Sequence, residues 1–142
     1  MSEIALDRLL RYVKIDTQST DSAETTPSTA KQFDLANLLV KELKEIGLED
    51  AEVDEHCYVM ATLPSNIENR NSLPTIGLIA HVDTTPEVSG TNVKANIIEN
   101  YKGGDIALPG DDSVIIKVSE NPKLNECIGH KLVTSDGTTL LG

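Results

Sequence analysis

Residues 77–86 read GLIAHVDTTP, and this stretch decides the architecture of the 142-residue chain. Together with Ile76, it makes residues 76–80 apolar at every position, with no polar alternation. A strand that buries one face alternates. A short continuous apolar run belongs to a strand covered on both faces, as the central strands of α/β sheets are. His81 and Asp83 follow directly. Side chains alternate along a strand, so these two share a face, with Cα atoms about 6.6 Å apart at ~3.3 Å per residue. They also stand at the carboxyl end of the run, where open α/β sheets bind ligands.

Upstream the period is helical. Leu6, Leu9, Leu10 and Val13 predict a short amphipathic helix over residues 3–14. The Ser-, Thr- and Asp-rich segment 16–29 cannot bury a face and reads as a surface loop. Thr29 lies three positions before Gln32, the spacing of a capping box, and Phe33, Ala36, Leu39, Val40, Leu43 and Ile46 form an apolar stripe. This predicts a second helix over about residues 30–46, with Gly47 as its C-terminal stop. Residues 58–63, closed by Pro64, read as a strand and 65–74 as a loop tip. The Pro-, Gly-, Asn- and Asp-rich stretch 84–113 reads as a long excursion, with a short strand near 93–98 and another extended piece at 114–118. Asp136-Gly137 between HKLVTS and TTLLG predicts a terminal hairpin with a type I′ turn. The expected fold class is α/β, with a mixed central sheet flanked by helices.

Composition excludes several functions. Twelve Lys and Arg stand against 23 Asp and Glu, a net charge of −11, so no basic surface is available for nucleic acid. Aromatic residues make up 3% with no Trp, which argues against base-stacking platforms. The segment MSEIALDRLL lacks the basic and apolar regions of a signal peptide, and no apolar run approaches the ~18 residues that span a bilayer. Cys57 and Cys127 form no CxxC motif and read as free thiols. A soluble, cytoplasmic protein with no membrane partner is expected.

An imidazole at position 81 can donate a nitrogen to a metal, and a carboxylate two residues on can orient it. Spacing alone leaves a hydrogen-bonded loop histidine as the commoner reading. A catalytic zinc also needs about three protein ligands. Further donors are weak: His56 and Cys57 are adjacent and would face opposite sides of a strand, His130 lies in an expected strand, Asp111 and Asp112 sit in an expected turn, and Asp136 belongs to the hairpin. The residues themselves thus offer one good ligand.

Six segments in order, YVKIDTQS, TTPST, YVMATLPSN, PTIGLIAHVDT, NIIENYKGGDI and LVTSDGTTLLG, resemble the N-terminal part of aminotripeptidases. These belong to the two-zinc metallopeptidase family that also contains aminoacylases and succinyl-diaminopimelate desuccinylases. The resemblance covers essentially the whole chain; His-x-Asp marks the broad family, and the last two segments the tripeptidase branch. It implies that residues 1–142 are the N-terminal part of a zinc-aminopeptidase-like catalytic domain. In that case His81 is a zinc ligand and Asp83 the catalytic aspartate that positions the machinery. It further implies two Zn2+ ions per active site, tripeptide substrates, a cytoplasmic location and a possible homodimer in full-length form. In the family the bridging aspartate, the general-base glutamate, the other ligands and a lid and dimerisation domain follow the position of Gly142. The resemblance therefore implies that this chain alone is inactive; separately, a terminal hairpin with no covering helix would leave strand edges and an apolar sheet face open, so marginal stability or self-association is expected. A related zinc deacylase or carboxypeptidase, or a stand-alone non-enzymatic binding module, are the alternatives.

Overall fold

The computed structural model describes residues 3–68 and 73–141. Met1 and Ser2 of the segment read for a leader, 69–72 of the predicted loop tip, and Gly142 lie outside the described residues. The chain divides into two compact units, Thr17–Thr84 and Met1–Asp16 with Thr85–Gly142.

In the first unit, helix α2 (Gln32–Glu45) lies against a two-stranded antiparallel hairpin, β1 (Glu52–Val53) with β2 (Val59–Met60). It buries Gln32, Leu35 and Ala36, and Ala51 just before β1 is also buried. Leu35 is the inward residue that the predicted stripe omits, whereas Ile46, placed on that stripe, is exposed. The helix stops as expected. Gly47 has φ +98°, its N–H donates to Lys44 O and the Leu48 N–H donates to Leu43 O. These two bonds are the Schellman arrangement, which a residue with a Cβ adopts poorly.

The predicted capping box does not form. No side chain caps the helix N-terminus. Thr29 Oγ1 instead donates to Gln18 O at 2.9 Å, and Gln32 Nε2 donates to Ser28 Oγ at 3.2 Å. The loop carbonyl at Gln18 claims the hydroxyl that would have capped the helix. The expected strand over 58–63 shortens to β2 because its partner β1 is only two residues long.

In the second unit, helix α1 (Glu3–Tyr12) carries Leu6, Leu9 and Leu10 half-buried and leads to buried Val13. Strand β3 (Ala95–Ile98) pairs antiparallel with β6 (Leu132–Ser135), and β4 (Ile106–Leu108) with β5 (Asp111–Ile116) around Pro109-Gly110. A 3-10 helix, Pro122–Cys127, precedes β6. Tyr101, Ile106 and Leu108 form the buried centre, with Ile98, Ile116, Leu124, Cys127 and Leu132 packed around them. The backbone of Tyr101 donates to His130 O and accepts from the Gly129 N–H, and its phenol donates to Gly104 O. Gly103 and Gly104, at φ +90° and +88°, make the turn that places that carbonyl.

Two expectations are corrected. Asp136-Gly137 does not close a hairpin: LVTS pairs back to β3, thirty-odd residues upstream. Asp136 is buried, and its carboxylate accepts from the Thr138 N–H and hydroxyl while its carbonyl accepts from the Gly110 N–H at 2.7 Å. That side-chain turn replaces the hairpin turn. Likewise Asp111 and Asp112 begin β5, and the turn is Pro109-Gly110.

The larger correction concerns the central strand. Among the described residues the sheets are three antiparallel pairs, and 76–80 belongs to none of them, so no mixed central sheet is formed. Ile76, Leu78 and Ile79 are 82%, 96% and 99% exposed. A strand needs edge partners for its N–H and C=O groups and elements to cover its faces. The described residues provide neither for 76–80. The protein is thus a small mixed α/β arrangement of short antiparallel sheets.

Candidate functional site

The end of that run is the part of it that is held. Gln18 and Thr84 form an isolated parallel bridge: the Thr84 N–H donates to Thr17 O at 3.2 Å, and the Ser19 N–H donates to Thr84 O at 2.9 Å. Two hydroxyls reinforce it. Thr17 Oγ1 donates to Val82 O and Ser19 Oγ to Thr84 O, both at 2.8 Å. Thr17 is 3% exposed. The residues on either side of Asp83 are therefore fixed through their carbonyls.

His81 and Asp83 face each other, although residues 81–83 lie in no strand. His81 Nδ1 lies 3.1 Å from Asp83 Oδ1 and 3.1 Å from Asp83 O. Both oxygens can only accept, so Nδ1 carries the hydrogen, which leaves Nε2 as the nitrogen able to bind a metal. This is the carboxylate–histidine arrangement that fixes ring orientation and tautomer at zinc sites. The side chains are 87% and 48% exposed, so water weakens their mutual attraction and the pair is held by geometry.

The donor set fits one zinc ligand with its orienting carboxylate and does not make a complete site. Among the described residues there is no group of three His, Cys, Asp or Glu able to hold a metal. His56 lies in the β1–β2 loop, where Asp54 Oδ1 accepts from the His56 and Tyr58 N–H groups, and its ring neighbours Glu55 and Tyr58. Cys57 takes φ +68° in the same loop, and burial, with help from Asp54, pushes its thiol above the ordinary range. His130 falls in the turn before β6, and its N–H donates to Cys127 O. Asp111 is engaged by the Ser113 hydroxyl and N–H, and Asp136 by the Thr138 hydroxyl and N–H, which holds both carboxyls below the usual range. Cys57 and Cys127 are free thiols. No helix among the described residues is long and apolar enough to cross a membrane.

The sequence reading missed Thr17 and Ser19. In a run of Ser, Thr and Asp, two hydroxyls carry no signal of their own; only the alternation Thr17-Gln18-Ser19 hints that both could face one neighbour.

No family model matches the chain. Curated relatives do. Peptidase T of Alkaliphilus oremlandii is 54% identical over 137 residues, covering 96% of this chain and 34% of the relative. Peptidase T of Geobacillus thermodenitrificans is 52% identical, and that of Bacillus licheniformis 51%, each over all 142 residues and 34% of the relative. The class these matches define is that of a peptidase. Within it, the chain is similar to peptidase T along essentially its whole length, and it spans about a third of the length of the relatives it matches.

Proposed function

We propose that this chain forms part of the catalytic domain of a cytoplasmic, zinc-dependent aminotripeptidase that releases the N-terminal residue of tripeptides. The observation that carries the reading is the His81–Asp83 pair, with its Nδ1–H tautomer, inside a segment that matches peptidase T along the whole chain. His81 holds zinc through Nε2, and Asp83 keeps the ring turned to it. The bound metal pair supplies a Lewis acid for the peptide carbonyl and a water of lowered pKa. The remaining donors and the general base come from the two-thirds of the relatives' length that these residues do not span. In the complete domain, 76–80 is a covered strand of the central sheet, which accounts for its apolar composition. Two free thiols agree with a reducing compartment. Homodimerisation of the full-length enzyme belongs to the same reading.

The test is a tripeptide assay of the full-length protein with zinc. The expected result is turnover, with His81→Ala falling below about 1% of it and Asp83→Asn intermediate, since changing a residue that orients a ligand costs about 10–100-fold. The 142-residue chain alone should give no turnover. Undiminished activity in His81→Ala, or hydrolysis of N-acyl amino acids in place of tripeptides, overturns the proposal.

A further inference from the structure

Four hydrogen bonds tie residues 82–84 to Thr17–Ser19, and they have an unusual composition. A continued parallel ladder would give Val82 O a backbone N–H, but here the Thr17 hydroxyl takes that place. Thr84 O accepts both the backbone N–H and the hydroxyl of Ser19. Asp83 therefore sits between two carbonyls gripped by side-chain hydroxyls. The preceding residues, 73–81, are exposed and belong to no strand or bridge among the described residues. Thr17 is buried, and its hydroxyl is the donor the structure gives Val82 O, so removing it frees that carbonyl from its hold on the chain.

We infer that Thr17, supported by Ser19, is a positioning residue for the His81–Asp83 pair: its hydroxyl fixes the carbonyl between them and so sets where the imidazole presents Nε2. This rests on the peptidase reading and deepens it. Neither residue touches metal or substrate; both act through the backbone on each side of Asp83. Thr17 has the larger part, because Ser19 leaves its own N–H on Thr84 O when its hydroxyl is removed.

The experiment compares Thr17→Val, Thr17→Ser and Ser19→Ala in the full-length protein. Thr17→Val keeps the shape and removes the donor, whereas Thr17→Ser keeps the donor. The expected result is a fall in kcat of about 10- to 100-fold in Thr17→Val at nearly unchanged KM, since a misplacement of about 1 Å near the chemistry has effects of that size. Thr17→Ser should recover to within about threefold, and Ser19→Ala should lose a smaller factor, of about two to five, because half of its grip remains. A second readout needs no turnover. In metal-free full-length protein labelled with 15N in histidine only, and assigned by difference from His81→Gln, wild type should show the Nδ1–H tautomer of His81. Thr17→Val should show a mixture. Should Thr17→Val fail to fold, Ser19→Ala carries both measurements. Wild-type kcat and tautomer in a folded Thr17→Val, or a loss that Thr17→Ser does not restore, overturns the inference. A wild-type protein that hydrolyses no tripeptide while the tautomer still responds to Thr17→Val defeats the peptidase reading alone.

Discussion

Ile79, inside the apolar run 76–80, is 99% exposed, whereas Tyr101, flanked by Asn100 and Lys102, is 4% exposed. By composition the first should be core and the second a loop residue. The difference lies in where each finds partners. Tyr101 finds its partners within the described residues: His130 and Gly129 take its backbone, Gly104 its phenol, and Ile106 and Leu108 of β4 share its buried cluster. The run 76–80 is a strand by composition and needs neighbours on both edges and both faces, which local sequence cannot supply. An apolar pattern states what a segment requires; burial shows whether the available chain provides it.

Substitutions in the two regions test this contrast. Tyr101→Ala should have the largest effect, costing about 3–5 kcal/mol in urea unfolding, because it empties the centre of a closed cluster. A cost below about 1 kcal/mol would mean that the cluster is not a core. Gly110→Ala comes next at about 1–3 kcal/mol. A Cβ there would stand 2.8 Å from Asp136 Oδ2 and 2.9 Å from its carbonyl oxygen, and the backbone atom cannot swing away. Tyr101→Phe removes only the bond to Gly104 and should cost about 1 kcal/mol.

The acid response is subtler. Thr138 holds the Asp136 carboxyl below its ordinary value, so the folded state binds that proton less readily than the unfolded one. Its contribution is complete above the unfolded pKa, about 4, and is lost as pH falls through the lower folded value. Asp136→Asn should flatten this part of a stability-versus-pH curve measured by circular dichroism. The smallest effect in this chain is expected from Ile79→Ser, within about 0.5 kcal/mol, because the side chain is already in water. The same change in the full-length protein should cost several times more if that strand becomes covered there. Equal costs in the two settings would remove the distinction between the regions.

Legibility follows the same division. Helix α2 and its Gly47 stop could be read because period and C-cap are local properties. The strand at β3 was legible, but its partner was not. Asp136-Gly137 advertised a short-range hairpin, while the buried Asp136 carboxylate chose Thr138 and left LVTS to pair with residues 95–98. The Thr29–Gln32 spacing suggested a cap, yet Gln18 O competed for the hydroxyl. Of the candidate site, the strand expected to carry His81 and Asp83 is not formed among the described residues, but their proximity was readable from their two-residue separation. The Thr17–Ser19 grip was not, because it joins residues about 65 positions apart.

The exposure of residues 76–79 has a consequence for handling. A protease cleft accepts an extended peptide whose N–H and C=O groups are unclaimed, and this stretch offers that shape. Digestion of the isolated chain with an enzyme that cuts beside aliphatic side chains should therefore begin here, upstream of His81. In a cell, the lifetime of such a chain would be set by how soon its greasy middle found shelter.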